Sequence, residues 1–530
     1  MMRTPNLIKR CLVAAGLLCL CLSACSGGGS GGQAAPRPVL PPAYVASGHE
    51  AAGDVFVQLF EWPWPAVASE CETNLGPKEY KAVQVSPPQE DILGSQWWTR
   101  YQPVSYSIAS SRSGTEAEFT DMVNRCKAAG VDIYVDAVIN HMTAGAGTGS
   151  HGTVYTKYNY PGLYSQGDFH TPCSVNNYQD AANVQDCELD GLADLNTGSA
   201  SVQQKIADYM VGLAQLGVAG FRLDAAKHIQ PVELDDILAR VNQALAAQAD
   251  PLPYFFAEVI DYGGEAVKAH DYFGLGYSSG GAADITEFKF RGVGDKFLHT
   301  GGQYLAQLNP NGSPGNQFSE SAWGIMPSDK AVVFLENHDT QRSNITPPYP
   351  ISYRDGAIYR LANIWMLAQP YGYPKVMSSY SFDNTTQAGR DAGPPGTAPG
   401  CASSLEAVTT PGQWVCEHRD PAIANMVAFR HAVAGTAETN WWDDRANAIA
   451  FARAGKGFVV INGEASSAIA AQSFATGLAQ GNYCDVLAGG ISTVPGTCAG
   501  QMIAVDSGGN ATISLAPLTG LVLQAGITVP

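Results

Sequence analysis

The stretch GVAGFRLDAAKHI, Gly217–Ile229, reads at first as a buried strand running into a turn. Val218, Phe221 and Leu223 are ordinary core residues, whereas Arg222 and Asp224 are not. Residues two apart on a strand point to the same side, so both charges face one space. A buried charge needs a partner or a task. The stretch therefore predicts a strand whose C-terminal end carries chemistry.

Working outward, similar apolar runs recur: DVFVQLFEW from Asp54, YKAVQVSP over 80–87, VDIYVDAVINH over 131–141, PYFFAEVI over 253–260, AVVFLENHD over 331–339 and YPKVMSSY over 373–380. Helix-like stretches such as EAEFTDMVNRCKAAG, SVQQKIADYMVGLAQLG and ELDDILARVNQALAA lie between them. Alternating strands and helices predict βα units on a parallel sheet. About eight units fit the chain, the number that closes a (β/α)8 TIM barrel. The α/β class is the expectation, with two additions. Residues 141–198 hold no clear amphipathic helix and are too long for a loop, so they read as a small inserted domain after strand 3. Residues 436–530 show short strands rich in Gly and Thr and read as a C-terminal all-β sandwich domain. The expected organisation is 1–24 targeting signal, 25–50 flexible tether, 51–140 and 199–435 barrel, 141–198 insertion and 436–530 β domain.

The 530 residues carry a net charge of −18 and 15% charged residues. A nucleic-acid binder wants a basic face and an anionic membrane repels an acidic body, so both partners are disfavoured. Arg3, Lys9 and Arg10 precede the apolar run CLVAAGLLCLCL, which reads as an export signal. It ends in Leu22-Ser23-Ala24-Cys25, which resembles a bacterial lipoprotein cleavage box and implies lipidation of Cys25, followed by the tether SGGGSGGQAAPRPVLPP. The expected location is outside the cell, lipid-anchored at the bacterial surface or outer membrane, or secreted. Beyond the signal stand eight cysteines: Cys71, Cys126, Cys173, Cys187, Cys401, Cys416, Cys484 and Cys498. An even number in an exported chain reads as disulfides, of a connectivity that sequence alone leaves open.

Three strand ends finish in acids: Asp224, Glu258 and Asp339, spaced 34 and 81 residues apart. On one barrel they converge at the C-terminal mouth. Carboxylates paired at a mouth suggest glycosidic chemistry, one acid protonated and one ionised.

Four short regions, VDAVINH (Val135–His141), GFRLDAAKH (Gly220–His228), FAEV (Phe256–Val259) and ENHD (Glu336–Asp339), together with LFEWPWPAVASECE, WWTRYQPVSY, VMSSYSF and WVCEHR, make the chain resemble the alpha-amylase family of glycoside hydrolases, in its chloride-dependent, animal-type branch. The likeness runs from roughly Val55 to the C-terminus. It implies an endo-acting hydrolase of α-1,4-glucans such as starch and glycogen. Asp224 would be the nucleophile, Glu258 the acid and then base, and Asp339 the stabiliser of the charged transition state. Retention requires the two reacting carboxyls to lie about 5–5.5 Å apart. Arg222 would help hold the nucleophile ionised and, with Asn337 and Lys375, bind chloride. Many animal members have arginine where Lys375 stands, and a lysine lacks the bidentate fork, so weaker binding is expected. Calcium would be held by Asn140, Asp194 and the backbone carbonyls of Gln185 and His228, stapling the insertion to the barrel. The family's usual arginine is replaced by Gln185 here. His141, Lys227 and His338 would bond sugar hydroxyls, and Trp97, Trp98 and Tyr101 would form a stacking platform, with Arg100 and Asp136 as supporting partners. The implied disulfides are Cys71–Cys126, Cys173–Cys187, Cys401–Cys416 and Cys484–Cys498, and the default is a monomer.

Two departures stand out. After ENHD the family's animal members carry a glycine-rich mobile loop, whereas this chain has TQRSNITPPYP. The segment between Cys401 and Cys416 is also longer than usual. Two other functions compete with hydrolysis: a transglycosylase on the same fold, and a starch-binding surface lipoprotein without turnover, which has no need of a retaining pair.

Overall fold

A computed structural model describes residues 47–273, 283–343, 350–396 and 399–530. The signal, Cys25 and nearly all of the tether lie outside these residues, as does most of the stretch after ENHD.

Eight strands close a barrel: β1 Phe56–Leu59, β2 Ala82–Val85, β3 Asp132–Ala137, β4 Gly220–Leu223, β5 Tyr254–Ala257, β6 Asp284–Thr286, β7 Ala331–Val333 and β8 Tyr373–Ser378. Each pairs in parallel with the next, and β8 returns to β1. The apolar runs mark seven of these strands. They miss β6, whose three residues, Asp-Ile-Thr, are too few to show a pattern.

The period of two divides each strand between two cores. Val57, Val83, Ile133, Phe221, Phe255, Ile285, Val333 and Val376 pack outward with the surrounding helices. Phe56, Ala82, Tyr134, Phe256, Val332 and Tyr373 form a separate inner cluster that plugs the barrel. Two residues further along the same faces come Gln58, Gln84, Asp136, Glu258 and Lys375, all buried. Arg222 holds the equivalent place after Gly220. Parity alone thus stacks a polar, charged layer on an aromatic floor. Gly220 makes room for that floor: a Cβ there would stand 2.7 Å from the Tyr134 ring.

The helices between strands bear ordinary end signals. Thr115 and Glu118 close a reciprocal capping box on Glu116–Ala128, and Pro231 opens Pro231–Ala247. After β3 the chain leaves the barrel through the expected insertion, whose regular structure is one short hairpin, one helix (Ala181–Asp186) and two 3₁₀ turns. It is tied back by Met142 N donating to Ala193 O at 2.9 Å and Leu195 N to Asn140 O at 3.0 Å. Glu90 adds a clamp, accepting from the His151 and Thr153 amides and the Thr153 hydroxyl.

The C-terminal region packs a four-stranded sheet (438–443, 448–453, 457–462, 519–524) on a five-stranded one (469–475, 481–484, 502–505, 510–515, 528–529) over its own apolar core. The four disulfides pair as the resemblance implies: Cys71–Cys126, Cys173–Cys187, Cys401–Cys416 and Cys484–Cys498. No helix among the described residues is long and apolar enough to cross a membrane.

Candidate active site

Arg222 is the centre of the charged layer. It is 1% exposed and touches three carboxylates: Asp136 Oδ1 at 2.5 Å, Asp224 Oδ1 at 2.8 Å and Glu258 Oε1 at 2.5 Å. Asp224 and Glu258 follow directly on β4 and β5, so adjacent strands deliver both acids to one guanidinium. The residue after Asp224, Ala225, adopts a left-handed conformation with φ 49°. That unusual turn aims its N–H at Glu258 Oε2, 3.2 Å away. Asp136 is held further by the Tyr101 hydroxyl, which donates to Oδ2 at 2.9 Å.

One buried cation among three carboxylates leaves an excess of negative charge. Burial pushes Asp224 well above the ordinary carboxylate range; Arg222 opposes this, while Glu258 and Asp136 add to it. Asp136 is raised for the same leading reason. Arg222 therefore pulls in the expected direction, toward an ionised Asp224, but desolvation outweighs it. Across the mouth, burial and the charge of Glu258 push Asp339 up to about 7. Its side chain is 43% exposed to the cleft, so water screens part of that shift.

The wall beside Asp339 is aromatic. His338 stacks on Tyr101 at 5.0 Å and 10° and on Phe60 at 5.0 Å and 24°, with Trp97 edge-on at 5.6 Å. Its Nε2 lies 3.4 Å from Asp339 Oδ2. Burial and the cations Arg222, Lys375 and Arg342 hold it neutral. Trp97 is pinned by its indole N–H, which donates to Arg390 O at 3.0 Å. Trp98 and Tyr101 share its 3₁₀ turn, with Trp97, Trp98 and Tyr101 each partly exposed. Asn337 Oδ1 accepts from the Asp339 and Thr340 amides at 3.0 and 2.8 Å, closing the turn that presents Asp339. Lys375 is 2% exposed; it lies 4.7 Å over the Phe334 ring and donates to Gln58 Oε1 at 3.2 Å. Burial, with Arg222 nearby, brings it down to about 7.

On the opposite side a cavity of about 220 Å³ is lined by Tyr178, Leu189, Ala225, Lys227, His228, Glu258, Ile260 and Glu265. Lys227 donates to Ile260 O at 2.6 Å, touches Glu265, and is brought down to about 8 by burial. Near the start of the insertion, Asn140 Oδ1 and Asp194 Oδ1 are buried without a hydrogen-bond partner among the described residues. Both residues are oriented by neighbours: His141 Nδ1 lies 3.3 Å from Asn140 Nδ2, and His170 Nδ1 lies 2.7 Å from Asp194 Oδ2. Two orphaned buried oxygens of this kind suit a hard cation. The His228 ring bonds Val184 O at 2.8 Å, which joins the barrel to the insertion helix that carries Gln185. His141 stands at the same junction, with its Nε2 3.0 Å from Tyr101 O and its Nδ1 3.3 Å from Asn140 Nδ2.

Two further residues belong to this site. Gln58 is the single polar residue of β1 and bonds both Lys375 and His338. Arg342 donates to His338 O at 2.7 Å from between the Phe60, Trp97, Tyr380 and Phe382 rings, 4.3–5.3 Å away. A polar residue inside an apolar strand was the available signal for the first. Nothing in the local sequence marks the second.

Comparison with known proteins agrees with this geometry. The alpha amylase catalytic domain matches residues 83–370 and the alpha amylase C-terminal all-beta domain residues 440–526. An alpha-amylase of Tribolium castaneum is 45% identical over 473 residues, which span 87% of this chain and 91% of that one. Pancreatic alpha-amylase 2a5 of Mus musculus is 43% identical, over 87% and 91%. The crystal structure of alpha-amylase I from Eisenia fetida superposes with a TM-score of 0.78 at 36% identity, over 93% of this chain and 99% of that one; a mutant of that enzyme has been solved in complex with maltohexaose. This chain belongs to the alpha-amylase family of glycoside hydrolases.

Proposed function

We propose that the protein is an exported, endo-acting hydrolase of internal α-1,4-glucosidic bonds in starch, glycogen and maltooligosaccharides, working with retention of configuration. The observation that carries this is the single guanidinium of Arg222 in contact with both Asp224 and Glu258. Sharing one cation keeps the two carboxyls close, as a double displacement needs. In the first step an Asp224 oxygen attacks the anomeric carbon. The glycosidic C–O bond breaks, and the leaving oxygen takes the proton of Glu258. In the second, Glu258 removes a proton from water as the water oxygen attacks the same carbon and the bond to Asp224 breaks. Asp339 faces the positive charge that develops on the ring in both steps. Trp97, Trp98 and Tyr101 offer flat faces to the sugars, and His141, Lys227 and His338 offer donors to hydroxyls.

Two ions complete this reading, calcium and chloride. Asn140, Asp194 and the carbonyls of Gln185 and His228 would hold calcium, which ties the insertion to the barrel. Arg222, Asn337 and Lys375 would hold chloride, whose charge relieves the repulsion between the two buried cations. Lipidation at Cys25 would tether a monomer outside the cell, with α-glucans as partner.

The test is starch digestion by the chain lacking residues 1–25, dialysed free of chloride and then titrated with it, following iodine colour and reducing ends together. Fast loss of colour with few reducing ends marks an endo-hydrolase. Activity that is indifferent to chloride removes the anion assignment. Products longer than the substrate supplied indicate a transglycosylase, and no turnover with both ions present indicates a binding protein.

A further inference from the structure

We infer that Gln58 is a positioning residue that sets the tautomer of His338 and thereby keeps a donor N–H on Nε2, the ring nitrogen beside Asp339. The Lys375 side chain offers Gln58 a donor at 3.2 Å, so the Gln58 atom facing it is the carbonyl Oε1. The other end of the amide must then be the NH₂ group, and it faces His338 Nδ1 at 3.1 Å. A donor on Nδ1 requires that nitrogen to be unprotonated. The proton of the neutral ring therefore sits on Nε2, 3.4 Å from Asp339 Oδ2. The relay Lys375 → Gln58 → His338 is directional, and it leaves the ring proton on the edge nearest Asp339. Gln58, His338 and Lys375 are 1–2% exposed, so no bulk water competes for these bonds. Stacking between Tyr101 and Phe60 holds the ring plane, while Gln58 decides which edge carries the proton.

A structural role for Gln58, merely filling the barrel, predicts something different, and Gln58→Glu separates the two. Glutamate has the same shape and can pair with Lys375, so it leaves packing intact. It cannot donate, so it favours the proton on Nδ1 and turns a bare Nε2 toward the Asp339 carboxylate. We expect kcat on a maltooligosaccharide to fall by about 10²-fold or more, in line with the cost of a wrong imidazole tautomer in a catalytic site, with KM changed less than about threefold and thermal stability retained. A kcat within about threefold of the parent overturns the inference. A second measurement needs no variant: nitrogen-15 NMR of histidine-labelled protein, with His338 assigned from its His338→Gln difference spectrum. The Nε2–H form is expected, and an Nδ1–H form overturns the inference. The inference rests on Asp339 facing the substrate. Asp339→Asn with full activity overturns that reading, whereas an inactive Asp339→Asn beside an unaffected Gln58→Glu overturns only the role of Gln58.

Discussion

Arg222→Met removes the one cation that three carboxylates share and leaves the shape of the side chain in place. Asp136, Asp224 and Glu258, whose side chains are 0%, 9% and 7% exposed, are each deprived of their guanidinium partner. Breaking a buried pair by deleting one partner costs about 3–5 kcal/mol, because the charge left behind is uncompensated. The carboxylates can escape part of that cost by taking up protons. The loss drives Asp224 and Asp136 still further above the ordinary carboxylate range. The sign then sets a pH dependence. Asp224 and Asp136 already sit above the ordinary carboxylate range through burial. Stability tied to a raised acid is fully present below its unfolded value of about 4 and is lost as pH rises through the folded one. Removing Arg222 enlarges that loss in the same window. Urea unfolding of parent and variant, followed by barrel tryptophan fluorescence, should therefore show a difference of about 3–5 kcal/mol at pH 8 and about 1 kcal/mol or less at pH 4.5. A difference that is the same at both pH values would mean that Arg222 contributes packing rather than charge, and the electrostatic account would fail.

Three other outcomes follow from the site. Glu258→Gln should lower hydrolysis by about 10²–10⁴-fold, the usual worth of a general acid, while maltooligosaccharide binding survives; unchanged hydrolysis removes Glu258 from the chemistry. Because Lys375 is brought down to about 7 by burial and Arg222, chloride activation should weaken as pH rises through that value, and Lys375→Arg should extend it to higher pH; a chloride response flat from pH 6 to 8 in both proteins contradicts the assignment. Calcium chelation should expose residues 141–198 to protease, and Asn140→Ala should reproduce this without chelator, since Asn140 Oδ1 and Asp194 Oδ1 have no other partner; equal protease resistance before and after chelation argues that the insertion is held by its backbone bonds alone.

Much of this was legible in one dimension. A strand announces itself by its apolar run, and seven of eight barrel strands have one. A charge at its end announces a task, because the desolvation cost of Arg222, Asp224 or Glu258 is tolerated only with a partner. The period of two then says which residues share a face, and so it places Arg222 and Asp224 together. β6 was lost because three residues carry no period, although barrel closure demands it.

Local pattern and spacing along one strand or helix specify the elements, the acids at their ends and the switch to an all-β tail. Relations between strands far apart in the chain come into being only on folding. Gln58 meets Lys375 and His338 across separations of 317 and 280 residues. Arg342 finds its four rings only when the segments that follow β1, β2, β7 and β8 come together. The balance of charge around Arg222, with burial outweighing the cation at Asp224, likewise depends on which carboxylates share one low-dielectric space. Pattern fixes direction within a strand; register and closure of the barrel fix who faces whom.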